Sequence, residues 1–515
     1  MLLPVPIILM LVTALTLFVL RLVRPKFQFT WLIAVGGAFL ALAGTFLWQV
    51  KMPQEFSLFV WQPRSIFAHS PTWLADGISW PYALSLSALA LVVIMTSVAQ
   101  RDLDPASWAG TLVLCAFGVA SVSAGNPLTL VLVWAVLDLI ELVIMLRSTE
   151  GEKQSEAVVV AFAARLSGIG LALWAGAASD SWADFRSMPS QSGIFLLFAA
   201  SLRLGVLPLH LPYRQENVLR RGFGTTLRLV SAASSLVLLA RIPSSAVASH
   251  LVPYLLILSA LAALYAGWMW LRASDELTGR PFWILGMAAL AIAAALRGNL
   301  IGSASWGIAL VLGGGILFLY SARQRTLLWL PFLALLGLSA LPFSVTASGW
   351  QSGGSISPLF WIILLPAQAL LLAGFMRHTL HPGESSLESQ SRWVQVIYPL
   401  GLFVPLAAML LLGVWGWDGA AVIGLWWVAL IVIALAAGLV ALALTVLPRL
   451  GPGRGSTGQW SDILRLNLLY RVVWVVYRAL GQISRLATDT LEGDAGFLWS
   501  FLLLALLISM YASLR

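Results

Sequence analysis

Charge is scarce in this sequence. Only 10% of its 515 residues are Asp, Glu, Lys or Arg, against roughly 25% in a soluble domain that must cover its surface. A solvated fold of this size is thereby excluded, and lipid becomes the solvent for a chain that is 60% hydrophobic. Cysteine is nearly absent. The single Cys115 excludes an internal disulfide, a cysteine-ligated iron–sulfur cluster and a CxxC redox pair, and within its apolar run it reads as a small core residue. There is no P-loop and no HExxH, so no cofactor is expected and the chain is not a redox enzyme by itself.

Long apolar runs are abundant. Sixteen stretches of membrane-spanning length, about twenty residues each, predict an all-α integral membrane protein. Spans 1–3 occupy 1–107, spans 4–8 occupy 108–242, spans 9–13 occupy 251–378, spans 14 and 15 occupy 395–447, and the last span covers 495–513. The seventh is expected at 193–210, the tenth at 281–297 and the twelfth at 326–344. The apolar segment Met1–Leu20 lacks a small-residue cleavage site and reads as a retained first helix.

The cations test this count. With alternating spans and the first residue outside, 21 of the 30 Lys and Arg fall in loops on the inner side, six on the outer side and three within spans. Positive charge favours the cytoplasmic side, so both termini are expected outside. The net charge of +9 is an orientation signal, and nucleic acid is not an expected partner. The natural setting is a bacterial plasma membrane, although a thylakoid-type membrane obeys the same physics. Between residues 456 and 492, Arg471, Arg478 and Arg485 recur every seventh residue, with Leu464, Leu468, Val472, Val475 and Val476 gathered elsewhere. This pattern predicts an amphipathic helix along the cytoplasmic interface or an ordinary solvated connector.

Ionisable groups inside spans are few, and each is a functional candidate because hydrocarbon penalises it by a few kcal/mol or more. Asp138 and Glu141 lie three residues apart in the fifth span, on one helix face. Arg165 is in the sixth span, Arg203 and His210 in the seventh, and Arg228 near the start of the eighth. Asp138 or Glu141 is expected to pair with Arg203 or Arg165. Such pairs serve either ion movement or the fixing of helix register. His210, beside Pro208, is either a titratable relay or a partner for backbone groups freed at a helix break. His69, His250, His378 and His381 fall at loops or span ends, where interfacial water explains them. The tenth to thirteenth spans are expected to carry no Lys, Arg, Asp, Glu or His in their interiors. Their polar content is mainly Ser303, Ser305, Ser344, Thr346, Ser348 and Gln368, which order water but hold no charge.

Several motifs carry a family resemblance. Asp76-Gly77-Ile78-Ser79 opens the third span, Asn126 and Trp134 lie in the fifth, and Arg203-Leu-Gly-Val-Leu-Pro208-Leu-His210 closes the seventh. Leu341-Pro342 ends the twelfth. Together they resemble the antiporter-like, proton-translocating subunits of complex I (NADH:quinone oxidoreductase) and the related Mrp-type antiporters, membrane hydrogenases and inorganic-carbon uptake complexes. The resemblance implies two inverted five-helix repeats, spans 4–8 and 9–13, with broken helices at Pro208 and Pro342. It implies partnership with other membrane subunits and the movement of protons or monovalent cations, coupled to electron transfer to quinone. In that family a glutamate on the fifth span modulates a lysine on the seventh. Here Ala135 occupies the glutamate's position, with Asp138 one turn later, and Arg203 occupies the lysine's. A buried lysine can lose its proton, whereas guanidinium effectively cannot. The family's eighth-span lysine corresponds to Ala233, and Trp306-Gly-Ile-Ala-Leu stands where the eleventh span would hold a lysine or histidine. Three functions follow: an antiporter-like subunit of a complex I-type assembly, a non-pumping scaffold or membrane partner, and a standalone transporter.

Overall fold

The computed structural model describes residues 2–445 except 26, 58–69, 100–103, 149–151, 180–184, 186–188, 190–191, 211–220, 243–249, 352–357, 382, 384–386 and 422–424; beyond 445 it describes only Val475 and Gln482. The expected interfacial helix at 456–492 and the last span at 495–513 lie outside the described residues, those two positions apart.

The chain is an all-α integral membrane protein. Apolar sequence without water to satisfy its backbone folds into helices, which close their hydrogen bonds internally. The described residues form α1 (Val5–Val23), α2 (Thr30–Leu47), α3 (Ser79–Thr96), α4 (Pro105–Val122), α5 (Pro127–Ser148), α6 (Glu152–Ser179), α7 (Gly193–Leu204) and α8 (Arg221–Arg241). They continue as α9 (Val252–Arg272), α10 (Glu276–Leu296), α11 (Leu300–Leu319), α12 (Trp329–Leu338), α13 (Pro358–Thr379), α14 (Arg392–Trp415) and α15 (Trp426–Thr445). Among the described residues, twelve helices are long and apolar enough to cross a membrane; α7, α12 and the described part of α15 are shorter. One small antiparallel ribbon, β1 (Gln54–Ser57) with β2 (Thr72–Ala75), leads into α3.

Burial sorts the helices. Every residue of α3 is buried, as expected of a helix apolar all round. It packs against α2, α4, α8, α11 and α14. By contrast α1, α2, α5, α14 and α15 expose large apolar side chains such as Leu15, Phe39, Leu139, Val396 and Leu430, as expected of surfaces facing lipid or another membrane chain. Close approach relies on glycine at Gly118 of α4, where an added Cβ would lie 2.7 Å from Val230 on α8.

α7 and α12 both end a few residues before the two prolines singled out from sequence. α7 stops at Gly205, whose φ of 78° favours glycine, and the chain then turns through Pro208; the His210 amide reaches back to the Gly205 carbonyl at 2.8 Å. α12 stops before Ala340 (φ 63°), Pro342 and Phe343 (φ 65°), and resumes as a tight helical turn, Val345–Trp350. Neutral side chains satisfy the backbone freed here. Thr346 Oγ1 accepts from the Ala340 amide at 2.9 Å and donates to the Gly337 carbonyl at 3.2 Å, while Gln368 Nε2 donates to the Leu338 carbonyl at 3.0 Å.

Two expectations are corrected. α10 begins at Glu276, not at Pro281, because Asp275 caps it by accepting from the Thr278 amide at 2.8 Å. Glu276 and Arg280 therefore lie inside the helix and are buried. His378, expected in interfacial water, is buried in α13 against Trp270, with ring centroids 4.3 Å apart. The second half of the bundle thus contains charged side chains and a buried imidazole.

Candidate functional site

The fifth helix is set in place by its own cap. Asn126 Oδ1 accepts from the Thr129 amide at 2.9 Å, and Asn126 Nδ2 donates to the Ser70 carbonyl at 2.9 Å. From this start the helical repeat brings Trp134, Asp138 and Glu141 onto the side facing α6, α7 and α8. All three are buried, as are Arg165, Arg203 and Arg228 on those neighbours.

The five ionisable side chains form one chain of ion pairs. Arg203 meets Asp138 as a fork, Nη1 to Oδ2 at 2.5 Å and Nη2 to Oδ1 at 2.8 Å, the geometry that a planar guanidinium offers a carboxylate. Arg165 Nη1 bridges the two acids, 3.3 Å from Asp138 Oδ1 and in contact with Glu141 Oε2. Glu141 Oε1 then accepts from Arg228 Nη1 at 2.7 Å. The order is therefore Arg203–Asp138–Arg165–Glu141–Arg228, with the acids from one helix alternating with cations from three.

Neighbours hold the arginines in register. The Arg203 guanidinium stacks 4.2 Å from the Trp134 ring, a favourable cation–π placement. Trp134 is itself fixed by donating to the Ser234 carbonyl at 3.0 Å. Arg203 Nε donates to Ser235 Oγ at 3.2 Å. Room for the arginine comes from Gly168 on α6, where an added Cβ would lie 2.7 Å from Arg203 Cγ and 2.9 Å from the Ala199 carbonyl oxygen. A small cavity of about 10 Å³ adjoins the acids, lined by Asp138, Glu141, Leu142, Met145, Val158, Phe162 and Arg165. That is about the room of one water molecule.

This arrangement restricts the chemistry. None of the three guanidiniums can release a proton. Any proton or monovalent cation bound here must be held by Asp138 or Glu141, in competition with arginines already in place. Among the described residues no group of His, Cys, Asp and Glu could hold a metal ion. His210, also singled out from sequence, does not join this chain. Its Nδ1 lies 2.8 Å from the Pro208 carbonyl oxygen, at the α7 break itself.

A second buried ion cluster was not expected from sequence. Glu276 at the start of α10 meets Arg221 Nη2 at 2.7 Å and Arg323 Nη2 at 2.6 Å, both through Oε1. Arg221 opens α8 and lies seven residues, about two turns, before Arg228 on the same face. One helix face thus reaches both clusters. The Asp275 cap was the sequence signal for this group, since it marks a helix start that takes in Glu276 and Arg280.

Beside the end of α12, four tryptophans form a run of ring contacts. Trp306 meets Trp350 edge to face at 6.4 Å, Trp350 stacks on Trp361 at 5.1 Å, and Trp361 stacks on Trp427 at 5.3 Å. Trp350 Nε1 donates to Gln368 Oε1 at 2.7 Å.

Solved structures share this fold. The chain matches, over 99% of its length, a chain of the Mrp complex from Dietzia sp., with a TM-score of 0.70 and 15% identity; it spans 63% of that longer chain, less than two thirds. A chain of the membrane-bound sulfane sulfur reductase, an archaeal respiratory membrane complex, matches over 99% of this chain and 100% of its own, with a TM-score of 0.66 and 15% identity. A chain of respiratory complex I from Thermus thermophilus with bound NADH matches over 85% of this chain and 99% of its own, with a TM-score of 0.61 and 18% identity. At these identities the likeness is one of fold. No family model and no curated protein matches the sequence.

Proposed function

From a fold shared with chains of three multisubunit membrane complexes, we propose that this chain is an antiporter-like subunit of an ion-translocating membrane assembly. In this reading spans 4–8 and 9–13 are inverted repeats, Pro208 and Pro342 mark their broken helices, and other membrane subunits are the partners. The cation asymmetry of the loops supports a bacterial plasma membrane with both termini outside. A complex I-type assembly, with electron transfer to quinone as the driving reaction, is the specific form favoured by the motifs around Arg203 and Asp76.

The carrying observation is the buried alternation Arg203–Asp138–Arg165–Glu141–Arg228. Its carboxylates are the exchangeable members, and its arginines are fixed countercharges. A proton or cation arriving near Asp138 or Glu141 must displace a guanidinium. The network therefore acts as an electrostatic element that responds to charge in a neighbouring subunit, in place of a lysine relay.

One observation favours a second reading, a non-pumping scaffold. Neutral hydrogen bonds and stacked indoles close the α12 break, so a through-going hydrated path would require the second half to open. Purification in mild detergent, with identification of co-purifying subunits, separates these readings from a standalone transporter. The recovered assembly, reconstituted with Asp138→Asn in this chain, is then assayed for ions moved per turnover. A fall in the ratio with assembly intact supports the translocating subunit. An unchanged ratio supports the scaffold. Recovery of the chain alone, active in liposomes, would leave neither standing.

A further inference from the structure

The chain after α12 is held in place from the corner between α10 and α11. α12 has ten residues, about 15 Å at 1.5 Å per residue, which is half of a hydrocarbon core about 30 Å thick. From Ser339 to Gln351 the chain continues without an α-helix, and Ser344–Trp350 are buried. Irregular backbone at such depth persists only where protein or enclosed water satisfies it. At the far end of this turn, protein does so. Asn299 caps α11, accepting from the Gly302 amide at 2.7 Å, and its Nδ2 donates to the Ser348 and Gln351 carbonyls at 2.8 and 2.7 Å. Arg297, which follows α10, donates from Nη2 to the Gly349 carbonyl and from Nε to the Ala293 carbonyl, both at 3.0 Å. Trp417 Nε1 donates to Ser348 Oγ at 2.8 Å. The turn is thus a separate piece of backbone, clasped onto the α10–α11 corner by a few hydrogen bonds.

The clasped arrangement leaves polar atoms unsatisfied. Ser344 Oγ on the turn, Ser303 Oγ on α11, Gln351 Nε2 and Arg297 Nη1 are all buried with no hydrogen-bond partner. Buried polar atoms are nearly always bonded, so water admitted here would gain partners that the closed turn withholds. The backbone is also strained. Ala340 and Phe343 hold φ of 63° and 65° without being glycine, a cost that gathers at switch segments. Charge is unbalanced as well. Arg297 donates to carbonyls and stands 5.7 Å from the Trp350 ring, and among the described residues no carboxylate lies within ion-pair range of it. A guanidinium keeps its charge, so this corner carries a fixed positive charge. An arginine fixed at a constriction raises an electrostatic barrier to cations.

We propose that the Ser344–Gln351 turn is a gate into the second half of the bundle, latched by Asn299, and that Arg297 is the residue that excludes cations from it. Release of the Asn299 and Arg297 contacts frees the turn from α11 and admits water to Ser303 and Ser344. While the latch holds, the closed turn and the Arg297 charge together keep protons and cations out. That the excluded ion is also the one the assembly moves rests on the translocating-subunit reading. The gate and its charge do not.

The test uses the full chain in lipid nanodiscs, where both faces meet solution. Ser344→Cys places a thiol on the turn; the native Cys115 is fully buried, and the chain without the substitution gives the background. Its rate of reaction is measured with a cationic and an anionic methanethiosulfonate of similar size. With the latch intact, both reactions are expected to be slow and the anionic reagent the faster. Asn299→Ala should speed both reactions. Arg297→Gln should remove the advantage of the anionic reagent, shifting the ratio of the two rates by about tenfold, while Arg297→Lys keeps the charge and should keep the ratio. A rate unmoved by Asn299→Ala, or a ratio unmoved by Arg297→Gln, overturns the proposal, so either variant alone decides if the other fails to fold. Labelling reads access to the turn. A subunit that moves no ions would still show it, which keeps this failure distinct from that of the proposed function.

Discussion

Replacing Asp138 by Asn leaves the Arg203 fork facing an amide, in a site where both partners are buried. Two charge-assisted hydrogen bonds are weakened, each contributing about 1.5–3 kcal/mol. The stranded guanidinium adds its own desolvation, and breaking a buried pair from one side typically costs about 3–5 kcal/mol. Arg203→Gln breaks the same pair from the other side and strands Asp138, with Arg165 as its remaining cation. The double variant removes both charges together, so it is expected to be less destabilised than the sum of the singles by about 2–3 kcal/mol, within the range seen for residues in one ion-pair network. Thermal unfolding of the full chain in detergent, for the wild type, both singles and the double, measures this coupling. Additivity within about 0.5 kcal/mol would refute the buried fork and, with it, the electrostatic role given to the network.

Three further outcomes are expected. Arg203→Lys replaces the fork by a single point charge that can lose its proton when buried; ion movement by the assembled complex should become more steeply pH-dependent than in the wild type, read from pH profiles of the two. Gly168→Ala forces a Cβ to within 2.7 Å of Arg203 Cγ, so it should destabilise the chain by about 1–3 kcal/mol, seen as a lower unfolding temperature, while Gly170→Ala on the same helix, where a Cβ meets nothing within 4 Å, should not. Trp350→Phe keeps an aromatic ring but leaves Gln368 Oε1 without its donor, and should cost about 1–3 kcal/mol in the same unfolding assay.

The helices were legible because hydrocarbon admits few alternatives to them, so apolar runs of the right length located α1 to α15 within a few residues at most ends. The first network was legible for a related reason. A charge within a span has to find an opposite charge, and only Asp138 and Glu141 were available to Arg165, Arg203 and Arg228. The exact wiring was not, since the choice of Arg165 as the bridge depends on helix rotation. Glu276 was misplaced because the apolar run begins only at 281, whereas the helix starts a turn earlier, at the Asp275 cap. The burial of His378 was hidden for a different reason. A histidine at a span end faces water or protein according to what packs on it, and Trp270 stands more than a hundred residues away in sequence.

The alternation of one acidic helix with three basic ones also bears on how the protein is made. An arginine near the middle of a helix raises the free energy of entering the bilayer by about 2.5–3.5 kcal/mol; α6 and α8 bring Arg165 and Arg228 at such depth, α7 brings Arg203 in its last turn, and α5 brings two acids. Arg165 touches both acids, so α5 and α6 relieve one another first, and Arg203 and Arg228 find their carboxylates on α5 when α7 and α8 arrive. The hairpin of α5 and α6 is therefore the first unit of this group that can enter lipid with its acids paired. A chain stopped between α5 and α6 would leave an acidic helix with no counterion, whereas one stopped after α6 would not.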